Sequence, residues 1–420
     1  LAASVIIAGG GLAGLASAAV LGQAGYDVDL FESRGFLGGR ATSYALQDEV
    51  IDNCQHVLLR CCTNLLDFYA RLGVSDAIRF HRRFHFIEPG GRVSTLDRGH
   101  LPAPLHFSGS FLGLDFLSFA EKAAVGRAMA AIAIEDRDDL DRITMLDWLR
   151  EHGQPERAIS RFWNQVLVSA INEDLDRMAA SHGFQVFRES FLASRDAYEM
   201  GVPVVPLGEL YSEAAWRERV PGVRFHFRTP VERMSAEGVV AGGRLWTADA
   251  YICALPFERV TTVVPEAGLN FEGWRHSPIT GIHLWFDRPV TDLPHATLLD
   301  RTMQWFFNKN RGRYLQLVVS ASRSLVEMPR QEVIDLAVRE LAEFLPEVRR
   351  ARLEKAHVVK EVRATFSAVP GLVRPGVESR VSGLYFAGDW VQTGWPATME
   401  GAVRGGYLAA AAATGRLQSK

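Results

Sequence analysis

The chain has 420 residues, 48% of them hydrophobic, four cysteines and a formal net charge of −3. That length exceeds the usual single domain, so two are expected around a large core. The charge balance excludes a global basic field for nucleic acid. The four scattered cysteines (Cys54, Cys61, Cys62, Cys253) exclude a disulfide scaffold and read as reduced thiols. No run of ~20 uncharged apolar residues exists to cross a membrane.

The chain opens on an apolar run at residues 5–8, read as a buried parallel strand that starts too early for a signal peptide to precede it. It breaks into Gly9-x-Gly11-x-x-Gly14, followed by a small-residue helix at 13–25 and a second apolar run at 26–31 that ends in Glu32. Strand, glycine turn, helix and acidic strand end together describe a dinucleotide site. Gly9 permits the tight turn, Gly11 admits a pyrophosphate to the backbone, and Gly14 lets the helix pack on the strand. Glu32 accepts hydrogen bonds from a ribose.

Residues 62–78 read as a helix with Leu65, Leu66, Phe68, Tyr69 and Leu72 on one side. Residues 84–107 read as short strands and loops, with Pro89-Gly90-Gly91 as a turn. Residues 108–192 are mostly helical, and Thr144 is expected to cap a helix at 145–151 with Asp147 at its third position. Strands are expected at 223–227, 230–234, in a hairpin around Gly242-Gly243, and at 250–256. Strands at 279–287, 303–307 and 313–320 build a second sheet. A helix at 331–345 stops at Pro346. The strand at 383–387 runs into Gly388-Asp389, and a helix follows from 397 to 413. The fold class is therefore α/β: a Rossmann-like domain (1–83, 201–269, 361–420) interrupted by a mixed α+β substrate domain (84–200, 270–360).

Two further glycine motifs matter. Gly38-Gly39-Arg40 allows close backbone approach and offers a cation to a phosphate. Gly388-Asp389 places a carboxylate at a strand end, suited to a flavin's ribityl chain, with a helix N-terminus behind it. With the first motif, this set resembles the flavin-dependent amine oxidase and phytoene desaturase superfamily. The resemblance implies that FAD is held by Gly9, Gly11, Gly14, Glu32, Gly39, Arg40, Gly388 and Asp389. It also implies that Val231 meets the adenine through its backbone and that Met399 lies beside the isoalloxazine.

An interior set sharpens this reading: Asp52-Asn53-Cys54-Gln55-His56-Val57-Leu58-Leu59, the segment from Phe162 and Trp163 to Asn172, His283-Leu284-Trp285-Phe286-Asp287, Gln316 to Arg323, and Arg363-Ala364-Thr365-Phe366. It resembles the squalene-associated FAD-dependent desaturases, the hydroxysqualene dehydroxylases of hopanoid pathways, over essentially the whole chain. Cys54 and Arg60 stand where that family has glycines, and Asn164-Gln165 where it has an x-Pro pair. The resemblance implies reductive loss of an allylic hydroxyl from hydroxysqualene, a C30 isoprenoid, to give squalene. An isoprenoid desaturase is the nearest rival. An amine oxidase lacks a marked polar pocket here. A non-catalytic prenyl-binding escort is disfavoured by the intact cofactor motifs.

His56 is read as the group that protonates or orients the hydroxyl, against a structural histidine. Asp196, with Arg195 and Glu199, is read as an acid site, against a surface ion pair. Trp395 faces isoalloxazine or substrate, or packs in the core. The cluster His81-Arg82-Arg83-x-His85 contacts anionic lipid or is a solvated face. The apolar stretch 111–119 dips into a membrane or is a buried helix. Peripheral membrane contact at the inner face of a cytoplasmic protein is expected, because the substrate partitions into lipid. No second GxGxxG marks an NAD(P)H site, so an external electron donor of unassigned chemistry is implied.

Overall fold

The computed structural model describes residues 3–418. Its centre is a five-stranded parallel sheet. Ser4–Ala8 lies between Asp27–Phe31 and Ala250–Cys253, with Val223–His226 and Leu384–Phe386 outside them. Three of them, Ser4–Ala8, Ala250–Cys253 and Leu384–Phe386, are short, almost wholly apolar and buried, as strands covered on both faces are. Helix Leu12–Gln23 is buried nearly all round. It is clasped between the sheet and the C-terminal helix Met399–Gln418. A Cβ on Gly406 would fall 2.2 Å from the Ala13 carbonyl oxygen, so that helix pair requires a glycine. An antiparallel meander (Val231–Ser235, Gly238–Ala241, Arg244–Trp246) follows the strand at 223–226, as its Gly242-Gly243 turn predicts.

The second unit is a seven-stranded sheet in the order Leu353–Phe366, His276–Phe286, Tyr314–Ser320, Trp305–Asn310, His295–Leu298, Phe84–Ile87 and Val93–Leu96. All its pairings are antiparallel except that of His295–Leu298 with Phe84–Ile87. The helical insertion packs on it through a core that includes Trp148, Trp163, Phe184 and Phe187. Each such side chain contributes roughly 1.5–3 kcal/mol by leaving water. Two π-helical turns, Ile159–Trp163 and Phe187–Leu192, widen the helices beside this core. Asn172 ends helix Asn164–Ile171 with φ +60°. Its amide donates to the Ser277 carbonyl (3.0 Å) and Thr365 Oγ1 (2.9 Å) and accepts from the Ala321 amide (2.7 Å), fixing the helix to the sheet.

Two expected domain boundaries are corrected. The one at 360/361 falls inside strand Leu353–Phe366, which pairs along His276–Phe286, and the one at 200/201 falls inside Met200–Pro203. A paired strand is one hydrogen-bonded unit and cannot be divided there. Thr144 caps Met145–Glu151 by accepting from the Asp147 amide at 3.1 Å. The Asp147 carboxylate, however, takes the Thr144 hydroxyl (2.6 Å). A complete capping box sits instead at Ser118 and Glu121.

Candidate active site

The glycine turn and Glu32 are one hydrogen-bonded unit. Glu32 Oε2 accepts from the Gly10 amide and Oε1 from the Arg34 amide, each at 2.8 Å. Gly9 has φ +107° and Gly14 lies so close beneath it that a Cβ would fall 1.9 Å from the Gly9 carbonyl oxygen. Gly11 differs. A Cβ there would meet nothing nearer than Gly39 Cα at 4.0 Å, so it would stand in an open slot. That slot is bounded by the Gly38-Gly39 backbone, which bridges Gly11 in parallel register. It faces the N-terminus of helix Leu12–Gln23, whose first turn carries no acidic side chain. Backbone amides, the helix dipole and missing side chains make this a pyrophosphate cradle. The Thr229 amide donates to the Glu32 carbonyl (2.9 Å), which sets the Val231 strand beside the ribose end. The residues present fit an adenine dinucleotide.

Arg40 and Asp389 come together. Arg40 Nη2 donates to Asp389 Oδ2 at 2.8 Å and Nη1 to the Ala364 carbonyl at 2.6 Å. In the fold the Arg40 guanidinium is paired with the mostly buried Asp389 carboxylate, which needs a counter-charge. Beyond Gly388-Asp389 the chain loops through Trp395 to Met399, the first residue of the C-terminal helix.

Trp395 and Met399 line an apolar cavity. Gln165 and Ser169 from helix Asn164–Ile171 line one side, and Phe86, Trp305 and Val318 of the wide sheet another. Trp305 Nε1 donates to Ser169 Oγ (2.7 Å), which holds the two walls together. Both insertions contribute, along with segment 55–65. Trp395 is 8% exposed, with the Arg404 guanidinium 4.6 Å from its ring centre.

His56 lies between Gln55 and Val57, which both line the cavity. Its Nδ1 has no hydrogen-bond partner. Burial pushes its pKa down, Asp52 pulls it up, Arg40 pushes it down again, and burial prevails. The neutral ring is therefore set to accept a proton before it can give one. Asp196 is corrected: its carboxylate is 49% exposed and paired with Arg98, outside the cavity lining. Glu199 pairs with Arg60 at 2.7 Å. Arg82 and Arg83 both pair with Asp97, at 2.8 and 2.9 Å, on the surface.

Three features escape sequence reasoning. Glu400 accepts from the Asn64 and Leu65 amides (3.3 and 2.8 Å) and from Arg404 (2.7 Å), capping helix Thr63–Leu72 from 335 residues away; no local signal announces it. Gln165, 7% exposed, leaves Oε1 unpartnered in a mostly apolar cavity. Its signal was the departure at Asn164-Gln165. Cys54 has φ +58°, a conformation glycine takes freely, and its signal was the cysteine in a glycine position.

The family described as flavin containing amine oxidoreductase matches residues 12–414. A 15-cis-phytoene desaturase of Oncidium hybrid cultivar is 26% identical over 461 residues, spanning 97% of this chain and 77% of its own. A probable zeta-carotene desaturase of Synechococcus elongatus is 26% identical over 471 residues, spanning 97% of this chain and 98% of its own. An oxidoreductase from Methanosarcina mazei superposes with a TM-score of 0.73 at 18% identity, covering 99% of this chain and 100% of its own, a likeness of fold. FAD is the cofactor of this flavin-containing family, and the glycine cradle beside Glu32 fits its adenine dinucleotide. The chain belongs to the flavin-containing amine oxidoreductase family.

Proposed function

We propose that this chain is an FAD-dependent oxidoreductase of a long isoprenoid. The observation that carries the reading is the apolar cavity lined by Trp395 and Met399, which follow the Asp389 turn in the chain, together with walls from both insertions. FAD, when bound, supplies or takes up a hydride equivalent. The chain's own part is to exclude water, hold the isoprenoid along apolar walls, and manage a proton near His56 and Gln55. An aromatic face such as Trp395 stabilises positive charge on an allylic carbon.

The two curated relatives support the oxidative direction, desaturation of a carotenoid precursor or squalene. One observation favours the reductive direction, loss of the hydroxyl of hydroxysqualene to give squalene. The buried Oε1 of Gln165 is an acceptor without a donor. A hydrocarbon leaves it unpaired at a cost of about 1–3 kcal/mol, whereas a substrate hydroxyl satisfies it. The interior motifs from Asp52 to His56 and Phe162 to Asn172 point the same way. Anaerobic incubation decides between them. Conversion of hydroxysqualene to squalene by photoreduced enzyme establishes the dehydroxylase. New double bonds in squalene or phytoene, made by oxidised enzyme, establish the desaturase. Turnover of none of these substrates refutes the isoprenoid reading.

We further propose peripheral membrane contact through segment 101–119, with the protein at the inner face of the cytoplasmic membrane. Leu114, Phe116 and Leu117 are core residues, but Leu101, Leu105, Leu112 and Phe119 are exposed. No helix among the described residues is long and apolar enough to cross a membrane. Co-sedimentation with liposomes, weakened in Leu112→Ser/Phe119→Ser, is the measurement.

A further inference from the structure

A second cavity, of about 370 Å³, adjoins the first at Phe307, the one side chain among the described residues that lines both. That volume is in the range of small-ligand sites. Part of its lining is basic and polar. Arg79 and His81 stand two residues apart on strand Ile78–His81, so both project from one face. Lys309 and Tyr314 come from the wide sheet. Much of the remaining lining is apolar: Val50, Val202, Val204, Val205 and Pro294. Arg79, Val50, Val204 and Pro294 are its exposed members and mark its mouth.

The polar groups of this lining are unevenly satisfied. Asp52 is its only carboxylate, and its oxygens are taken: Oδ1 accepts from Ser43 Oγ (2.7 Å) and the Leu207 amide (3.0 Å), Oδ2 from Lys309 Nζ (3.3 Å). The neighbouring Glu49 pairs with Lys355 at 3.9 Å. Asn308 donates to the Thr291 and Leu293 carbonyls and accepts from the Gly312 amide. Donors remain. Lys309 spends two of its three N–H groups, on Asp52 and on Gln55 Oε1 (3.0 Å). Among the described residues nothing forms a hydrogen bond or ion pair with the Arg79 guanidinium or the His81 ring. His295 lies in the same lining, 1% exposed and edge-on to His81 with ring centres 5.0 Å apart. Neither of its ring nitrogens has a partner, although buried polar atoms are normally paired. Burial keeps both histidines neutral, so Arg79 and Lys309 stand against Asp52 alone and the lining is net positive.

Unpaired donors require acceptors, a net positive lining favours an anion, and the valines and proline at the mouth suit an apolar body. We propose that this cavity is a second ligand site, for an amphiphilic anion. Its phosphate or diphosphate head sits among Arg79, Lys309 and His81, and its short hydrocarbon tail lies along Val50, Val204 and Pro294. A guanidinium binds phosphate oxygens in pairs, which makes Arg79 the principal contact. The site is separate from the redox site: none of the glycine-cradle residues, nor Trp395 or Met399, lines it. The two cavities also select opposite chemistries. The apolar one has no Lys, Arg or His in its lining, so a diphosphate there would be desolvated without a counter-charge. A neutral hydrocarbon in the second would leave the donors unpaired.

Isothermal titration of the FAD-loaded protein with geranyl diphosphate and with inorganic diphosphate tests the site; the bound FAD keeps either probe out of the glycine cradle. Geranyl diphosphate is expected to bind, and inorganic diphosphate to bind roughly tenfold more weakly or less. Arg79→Gln, at an exposed position, should keep the flavin spectrum and melting temperature and weaken geranyl diphosphate by roughly tenfold or more. Val50→Ser/Val204→Ser should weaken geranyl diphosphate by about fivefold and so narrow the gap between the two probes. No binding of geranyl diphosphate to the unaltered protein overturns the site. Unchanged affinity in Arg79→Gln also overturns it, since the probe then sits elsewhere, the apolar cavity included. Equal affinity for the two probes overturns the amphiphile in favour of a free phosphate.

Discussion

Arg40 and Asp389 are 349 residues apart in the chain and 2.8 Å apart in the fold. The pair joins the second glycine motif to the third, and Arg40 also reaches the Ala364 carbonyl in the wide sheet's edge strand. It therefore ties both sheets together at the point where the cofactor site meets the cavity. Asp389→Ala leaves the guanidinium without its anion. We expect a loss of roughly 1.5–3 kcal/mol, the scale of a charged hydrogen bond, together with loss of flavin. Thermal denaturation and the visible flavin spectrum measure both. Asp389→Asn should lose less stability than Asp389→Ala, because an amide oxygen still accepts from Arg40.

The glycines of the first motif should fail in different ways. Gly14→Val drives a side chain into the Gly9 carbonyl, where even a Cβ would be 1.9 Å away. It should give insoluble or unfolded protein. At Gly11 the backbone has φ −78° and the space is open, so Gly11→Val should fold with a near-normal melting temperature as apoprotein. It should nevertheless be colourless, because the valine occupies the pyrophosphate slot. A yellow Gly11→Val protein would show that the dinucleotide lies elsewhere.

The cofactor half of the site was legible in the sequence because its chemistry is carried by backbone. Glycine turns, strand ends and helix starts leave a local pattern, and Gly9, Gly11, Gly14 and Glu32 occupy the expected places. The cavity half was less legible, since its groups act through register. Nothing local to Trp305 says that it faces Val318, because that follows from how two strands pair. The strands His295–Leu298 and Leu353–Phe366 were not anticipated. The first is very short. The second carries Glu354, Lys355, Lys360, Glu361 and Arg363, charges that an edge strand tolerates. Of the two readings of Asp196, acid site or ion pair, the fold shows the ion pair, and its partner Arg98 lies far off in the chain where sequence cannot point to it.

Cys54 invites a change that should help. At φ +58° a cysteine holds a left-handed conformation that costs of order 1 kcal/mol and that glycine adopts without strain. Burial pushes its thiol up to about 12, so little of the reactive thiolate is expected at neutral pH. Cys54→Gly should keep FAD and hold or raise the melting temperature. Intact Cys54 should resist alkylation by iodoacetamide at pH 8. Rapid labelling of Cys54 in the folded protein would contradict its burial.

Acid sensitivity should begin above the carboxylate range. His283 and His295 are both held down to about 3, chiefly by burial. Their unfolded value is about 6.5. Between those limits the unfolded chain binds protons that the folded chain refuses, so stability falls as pH drops below about 6.5 and the loss levels off only near 3. Each ring contributes up to about 1.4 kcal/mol per pH unit once pH is well below 6.5. The melting temperature should therefore fall between pH 6.5 and 5, before most carboxylates titrate. Burial also holds His182 down, to about 4, so replacing His295 by phenylalanine removes one shielded ring among several while keeping an aromatic beside Phe307 and Trp305. His295→Phe should flatten the pH slope by about half of the two-histidine effect and leave the melting temperature at pH 8 unchanged or raised. A melting temperature equally flat in both proteins from pH 6.5 to 5 would mean that these imidazoles gain protons in the fold and are not shielded as their burial implies.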